Sequence, residues 1–201
     1  MYQRKDSFYT RAKRAGFRSR AAYKLEELAR RYRFFGPGGR VVDLGAWPGG
    51  WLQVAGREVG ATGLVVGVDL QPIDPLPGVE NVVLIRGDAA DPSTLTKILD
   101  LCGGPVDVLL SDLAPKLSGI RDRDVANAQA LAECAVQVAT RLLKNGGTLV
   151  IKLFMSDEIA SFLARLRTLF EHVRTSRPEA TRKGSAEIYA IAAGFKPLRE
   201  P

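Results

Sequence analysis

Five short apolar runs recur along the chain and constrain its fold more than any other feature. They are RVVDLG, GLVVGVDL, NVVLIRGD, VDVLLSD and GTLVIKLF. None alternates apolar with polar residues, which is typical of strands buried on both faces of a parallel sheet. Helix-like segments lie between them, over residues 50–59, 93–101, 125–143 and 156–170. This alternation predicts a doubly wound α/β sheet that binds ligands at the carboxyl ends of its strands.

The two ends of the chain extend this unit. Residues 1–18 are predicted to be irregular and basic, and residues 19–32 to form a helix capped by Ser19. After the fifth run, HVRTSRP and SAEIYAIAAGF predict two strands joined by a basic loop. We therefore expect a seven-stranded, mostly parallel sheet with a C-terminal antiparallel hairpin. The length of 201 residues fits a single domain, residues 1–201, with a basic arm and helix over about residues 1–35.

Positive charge is concentrated at the N-terminal end. Residues 1–40 hold 12 Lys and Arg against 3 Asp and Glu, whereas the remainder is slightly acidic. A basic segment of this kind is typical of a surface that contacts nucleic-acid phosphates, although a solubilising face has the same composition. An Arg-rich, acid-poor start also fits a mitochondrial transit peptide.

Composition excludes several other classes. No apolar run approaches the roughly 18 residues of a membrane span, and no apolar segment of a signal peptide follows the basic start. The two cysteines form no CxxC, and a single histidine disfavours a Cys–His metal site. We therefore expect a cytoplasmic, reduced protein that binds neither membrane nor metal.

Acidic side chains stand where the predicted strands end. Any one of them has an ordinary alternative role as a helix N-cap. Together they lie at the edge where a doubly wound sheet binds its ligand, which favours a functional site. The set consists of Asp43, Asp69, Asp88 and Asp112, with Lys152 near the end of the fifth run.

The loop DLGAWPGGW follows the first strand and precedes a helix. Gly45 permits a tight turn, and Gly49 and Gly50 allow a ligand or a backbone to come close. The spacing is GxxxGG with Pro48 before the pair, which matches neither the dinucleotide pattern GxGxxG nor a Walker A loop. The sequence therefore does not support a pyrophosphate cradle, and an NAD-dependent oxidoreductase is disfavoured.

The acids beyond this loop indicate which cofactor replaces a dinucleotide. Asp69 lies 24 residues after Gly45, where an acid hydrogen-bonds ribose hydroxyls. Asp88 ends the third strand, near the expected adenine amino group. This pair beside a loop without phosphate-binding features favours S-adenosylmethionine. Trp51 suits core packing and cofactor contact equally, and Trp47 is either a cover for the pocket or an exposed aromatic residue.

The chain resembles the RrmJ/FtsJ-type (RlmE-like) RNA ribose 2′-O-methyltransferases over nearly its whole length. The segments GFRSRAAYKLEEL, VVDLGAWPGGW, SDLAPKLSG, GGTLVIKLF and SAEIYAIAAG appear in that family's order and spacing. The family carries a Lys-Asp-Lys-Glu tetrad, and the matching positions here are Lys24, Asp112, Lys152 and Glu187. Trp47 departs from the pattern, because small residues are usual at that position.

The resemblance implies a Rossmann-like class I methyltransferase fold and a catalytic tetrad. Lys152 would be the base for the ribose hydroxyl, Lys24 a second cation, and the two acids would orient the lysines. A partly buried lysine beside another cation loses its proton more readily than an exposed one. The residues expected to contact S-adenosylmethionine are Gly45, Pro48, Gly49, Gly50, Trp51, Asp69, Leu70, Asp88, Ala89 and Asp112.

RNA is the expected partner, through cations on both sides of the tetrad. These are Arg4, Lys5, Arg11, Lys13, Arg14, Arg18 and Arg20 in the arm, with Arg182 and Lys183 before Glu187. Phe17 and Tyr23 fit either stacking on a base or core packing. The resemblance is closest to the compact bacterial-type members, which consist of this domain alone and act on a uridine of large-subunit ribosomal RNA. We expect the chain to be a monomer. Transfer RNA, messenger RNA caps and a non-catalytic RNA-binding role are the alternatives.

Overall fold

The computed structural model describes residues 7–115, 118–182 and 184–197, with the backbone alone for Ser7 and Arg121. Seven strands form its sheet: β1 Arg40–Leu44, β2 Leu64–Asp69, β3 Val82–Arg86, β4 Val106–Ser111, β5 Leu143–Phe154, β6 Phe170–Ser176 and β7 Glu187–Phe195. Its helices are α1 Ser7–Arg14, α2 Ala22–Tyr32, α3 Gly50–Val59, α4 Pro92–Cys102, α5 Arg121–Leu142 and α6 Ile159–Leu169.

The strand order is β3-β2-β1-β4-β5-β7-β6. Strands β1 to β5 are parallel, and β7 is inserted antiparallel between β5 and β6. The predicted doubly wound, mostly parallel sheet with a C-terminal hairpin is thereby confirmed. The order reverses between β1 and β4, so their carboxyl ends open the crevice in which such sheets hold ligands.

Two apolar layers cover the sheet. One packs α4, α5 and α6 against side chains such as Leu44 and Ile151, and the other packs α2 and α3 against neighbours such as Val150. Successive residues of a strand point to opposite faces, so both faces of the central strands are buried. Because both faces are buried, the strand segments do not alternate apolar with polar residues in the sequence.

The structure corrects the predictions for the N-terminal segment. Residues 7–14 form a helix instead of an irregular arm, because Ala12 is buried and Phe8 packs on Tyr23 with ring centroids 5.9 Å apart. Ser19 is not the N-cap of α2, which begins at Ala22 and has no side-chain cap. Local sequence did not reveal these contacts, since they depend on how α1 and α2 meet.

The helices α4 and α6 begin differently. Asp91 caps α4, because its carboxylate accepts the Ser93 N–H at 2.8 Å. The helix α6 starts after Glu158 without a side-chain cap, and the Ser156 carbonyl accepts the Ile159 N–H at 3.2 Å there. Among the described residues, no helix combines the length and apolarity needed to cross a bilayer.

Candidate active site at the carboxyl edge of the sheet

The four tetrad residues lie together at the carboxyl edge. Lys24 on α2 forms an ion pair with Glu187 at the start of β7, with Nζ 2.5 Å from Oε1. Lys152 on β5 forms a second pair with Asp112, which follows β4, with Nζ 3.1 Å from Oδ1. The Lys152 ammonium also donates to the Asp112 carbonyl at 2.7 Å. Both lysines are buried, so each pair is largely shielded from water.

Tyr189 joins the two ion pairs. Its hydroxyl accepts a hydrogen bond from Lys24 Nζ at 3.3 Å and donates one to Asp112 Oδ1 at 2.9 Å. Burial, with the negative charges of Asp112 and Glu187, raises the pKa of Tyr189 well above its usual value. The phenol therefore stays protonated near neutral pH and keeps its role as donor to Asp112.

Sheet geometry explains why these groups converge. Tyr189 pairs with Lys152 across the β5–β7 ladder, and Glu187 lies two residues from Tyr189 on the same strand face. Val150, two residues before Lys152, packs with α2 in one core cluster. The side chains thus share the face that α2 covers, and α2 brings Lys24 to them.

Contacts from α3 and from the loop before β7 hold α2 in place. The indole N–H of Trp51 donates to the Ala21 carbonyl at 2.9 Å, and its ring centroid lies 5.8 Å from that of Tyr189. The Glu27 carboxylate accepts the Glu179 N–H at 2.8 Å. These contacts fix the position of Lys24 relative to β7.

Sequence reasoning missed Tyr189 although its segment was part of the resemblance. A signal was available, because a tyrosine two residues after Glu187 in a strand must point to the same face as that acid. What the sequence did not show is that β5, and with it Lys152, would be the neighbouring strand. The position of the phenol between the two lysines depends on that pairing.

Asp43 is the most unusual polar group of the site. It is fully buried in β1, and neither carboxylate oxygen has a hydrogen-bond partner. Burial, followed by the charges of Asp112 and Asp69, raises its pKa well above the usual value. A buried carboxyl without partners is costly unless a cation or a polar group meets it.

The predicted cofactor residues line the neighbouring part of the edge. Gly45 makes the tight turn with a φ of 74°. The Asp69 carboxylate is oriented by the N–H groups of Trp47, at 2.9 Å, and Gln71, at 2.8 Å. Leu70 next to it is 65% exposed. Asp88 is exposed after β3, and its Oδ1 accepts the Ala90 N–H at 2.9 Å, while Ala89 is half-buried.

The glycine pair of the loop has a neighbour within the protein. A Cβ on Gly50 would lie 2.2 Å from the Ser19 hydroxyl, and one on Gly49 would lie 3.0 Å from Leu76 and 3.3 Å from Arg18. The close approach that the sequence predicted at these glycines is therefore made by residues of the chain itself, Ser19 and Arg18 of the N-terminal segment and Leu76. Any contact of Gly49 and Gly50 with a cofactor would come from their backbone.

Trp51 packs in the core, with 3% of its surface exposed. Its side-chain N–H is already bonded to Ala21, so a cofactor contact through its backbone stays a prediction. Phe17 and Tyr23 are also buried, and their ring centroids are 5.4 Å apart. Of the two roles that the sequence left open for them, the structure favours core packing.

The predicted phosphate-binding cations divide into groups. Arg4, Lys5 and Lys183 lie outside the described residues. Arg11, Lys13 and Arg14 are exposed on α1.

Arg18 points inward instead: its guanidinium donates to the carbonyls of Pro48, at 3.3 Å, Asp74, at 2.6 Å, and Pro75. This clamp corrects its assignment as a phosphate-tracking residue, because three backbone acceptors occupy it.

Arg20 lies between α2 and the loop before Glu187. It donates to the Ala180 carbonyl at 2.9 Å. Burial and the nearby positive charge of Arg182 lower the pKa of Arg20, and Glu187 opposes that shift. Two cations therefore approach each other beside the Lys24–Glu187 pair, an arrangement that an anionic group such as a phosphate would stabilise. Among the described residues, no cluster of three or more His, Cys, Asp or Glu has a metal-binding arrangement.

Comparison with known proteins gives a consistent set of relatives. The FtsJ-like methyltransferase family matches residues 17–195. A protein from Methanothermobacter thermautotrophicus named Ribosomal RNA large subunit methyltransferase E is 45% identical over 194 residues, which are 96% of this chain and 92% of that protein. A protein of the same name from Acidiphilium cryptum is 46% identical over 195 residues, 97% of this chain and 84% of its own.

Solved structures agree in fold. A candidate ribosomal RNA methyltransferase from Plasmodium falciparum matches with a TM-score of 0.79 and 28% identity, over 89% of this chain and 98% of that one. A SAM-dependent O-methyltransferase from Thermotoga maritima matches with a TM-score of 0.58 over 88% of this chain and 66% of its own. At 15% identity the second match shows only a common fold.

Proposed function

Because this chain belongs to the FtsJ-like methyltransferase family, we propose that it transfers a methyl group from S-adenosylmethionine to the 2′-hydroxyl of an RNA ribose. One observation carries the proposal. Two buried lysine–carboxylate pairs, bridged by a protonated phenol, lie at the sheet edge beside the expected cofactor residues. That arrangement suits the activation of a weak oxygen nucleophile that must be held in line with its methyl donor.

The residues of the cofactor edge fit this methyl donor. S-adenosylmethionine supplies an electrophilic methyl group on a positively charged sulfur. Asp69, already oriented by two backbone N–H groups, would bind the ribose hydroxyls. Leu70 and Ala89 would flank the adenine, and Asp88 would accept from its amino group. The unpartnered carboxyl of Asp43 suits a cationic ligand, and the loop offers no pyrophosphate cradle.

The tetrad would position and deprotonate the ribose hydroxyl. Lys152 would accept the proton of the ribose hydroxyl, and S-adenosylmethionine would supply the methyl group to the ribose oxygen and leave as S-adenosylhomocysteine. Asp112 holds Lys152 through two contacts, and Tyr189 connects Asp112 to Lys24. Lys24 and Glu187 fix the opposite side of the site, close to Arg20 and Arg182.

The substrate proposed for this chain is a uridine of large-subunit ribosomal RNA. The relatives named Ribosomal RNA large subunit methyltransferase E, matched over nearly the whole chain, support this choice. The exposed cations of α1 and the Arg20–Arg182 pair would contact phosphates on either side of the target ribose. We further propose that residues 1–201 act as one domain, as a monomer in the cytoplasm.

Incubation with labelled S-adenosylmethionine and unmodified large ribosomal subunits tests the proposal. Transfer RNA and capped messenger RNA serve as alternative substrates, and mass spectrometry locates the label. We expect a 2′-O-methylated uridine in the ribosomal RNA. Label on a base would refute the chemistry, and label confined to another RNA would refute the substrate. RNA binding without label would point to the non-catalytic alternative.

A matched pair of variants tests the role of Lys152. Lys152→Met should abolish transfer, because methionine has no amine to accept the proton of the ribose hydroxyl. Lys144→Met changes a lysine of the same strand that is half exposed and pairs with Asp107, remote from the carboxyl edge. Full activity of Lys152→Met would refute the proposed role of Lys152 as the base.

A further inference from the structure

Trp47 has a fixed backbone and an exposed ring. Its N–H donates to Asp69 Oδ2 at 2.9 Å, and the next residue, Pro48, accepts the Arg18 guanidinium at 3.3 Å. Its side chain is nevertheless 58% exposed. The other tryptophan of the chain, Trp51, is buried in the core. The loop thus holds one indole where it remains accessible.

The loop that carries this ring lies between the two halves of the candidate active site. At one end of its loop, the Leu44 carbonyl accepts the Asp112 N–H at 3.2 Å, so the loop starts beside the tetrad. At the other end, Trp47 contacts Asp69, the expected ribose ligand of the cofactor. An RNA strand that delivers a hydroxyl to Lys152 must pass close to this loop.

Physical chemistry favours a partner for such a ring. An indole is among the largest apolar surfaces a side chain offers, and leaving it in water forgoes that stabilisation. Leu70, the residue after Asp69, is also exposed, but its expected partner is the adenine of the cofactor. Exposed aromatic rings beside cations are typical of proteins that bind unpaired RNA bases by stacking.

We propose that Trp47 stacks on an unpaired nucleobase of the RNA, next to the nucleotide that is methylated. This inference rests on the proposed function and adds a base-binding position to it. The cations of α1 supply phosphate contacts on the adjoining N-terminal segment, and Arg18 ties that segment to the Trp47 loop. The adenine of the cofactor is the competing partner, although the proposed function assigns Leu70 and Ala89 to flank it.

Steady-state kinetics with two substitutions test the stacking contact. Trp47→Ala should raise the KM for RNA about 5- to 150-fold, the range that one base–aromatic stack contributes. The value of kcat and the affinity for S-adenosylhomocysteine should remain within about twofold, because the contact lies outside the reacting atoms. Trp47→Phe should restore most of the loss, since its ring still stacks. Leu101→Ala, which removes an exposed apolar side chain at the far end of α4, should leave the KM unchanged.

Tryptophan fluorescence gives a second readout that needs no turnover. The chain has two tryptophans, so the difference between the native protein and Trp47→Phe isolates the signal of Trp47. A short single-stranded RNA should quench that signal, whereas Trp51 alone should not respond. Quenching by S-adenosylhomocysteine without RNA, or a loss of cofactor affinity in Trp47→Ala, would show that the ring covers the cofactor and overturn the inference.

The two proposals fail in different ways. A native protein that methylates no RNA ribose contradicts the proposed function, whatever the variants do. A native protein that methylates RNA while Trp47→Ala keeps an unchanged KM contradicts the stacking contact alone.

Discussion

Replacing Tyr189 with phenylalanine tests whether the two ion pairs of the site behave as one unit. The substitution removes a single oxygen from a side chain with no exposed surface, and the remaining ring keeps its contact with Trp51. The lost hydroxyl donates to Asp112 at 2.9 Å and accepts from Lys24 at 3.3 Å. Only the shorter bond has near-ideal length, so its contribution dominates the expected effect.

The magnitude follows from that bond. A hydrogen bond to a charged group contributes about 1.5–3 kcal/mol to stability. We expect the variant to lose about 2 kcal/mol, which corresponds to a decrease in Tm of about 4–8 °C for a chain of this length. If Lys152 and Lys24 also become less well positioned, single-turnover methylation should slow about tenfold, equivalent to about 1.4 kcal/mol.

Thermal unfolding followed by circular dichroism and rapid-mixing methylation assays measure these two effects. Tyr9→Phe removes a phenol from an exposed residue of α1 and should change neither. The double variant Tyr189→Phe/Lys24→Met should lose less than the sum of the single variants, because each breaks the same bridge. Fully additive losses would refute the idea that Tyr189 couples the pairs.

Two further predictions concern Asp43 and the glycine pair. Burial raises the pKa of Asp43, so the folded chain binds the carboxyl proton more tightly than the unfolded chain does. The contribution of this group to the free energy of unfolding is therefore complete below about pH 4 and is lost as the pH rises. Asp43→Asn should flatten this fall in Tm of the cofactor-free protein as the pH rises above about 4, and parallel curves for both proteins would contradict it. Gly50→Ala should weaken S-adenosylhomocysteine binding in calorimetry, because its Cβ would lie 2.2 Å from the Ser19 hydroxyl. Ser19→Ala should relieve that clash, and no recovery in the double variant would show that another contact is limiting.

The amino-acid sequence by itself determined the layered fold. Strands buried on both faces must be apolar at every position, and helices must be periodic, so both leave a local pattern that predicts the sheet. Residues at strand ends are fixed by the same pattern, which is why Asp69, Asp88 and Asp112 were placed correctly at the carboxyl edge. The tetrad needed the family resemblance, since a single lysine such as Lys24 has no local signal.

Only the tertiary structure decided how these residues meet. The insertion of β7 between β5 and β6 puts Tyr189 opposite Lys152, and the docking of α2 puts Lys24 on the same phenol. The sequence predicted Arg18 to be a phosphate-binding cation of the basic arm, whereas in the fold its guanidinium donates to three backbone carbonyls. Contacts between residues far apart in the chain depend on strand order and helix docking, which local periodicity does not encode.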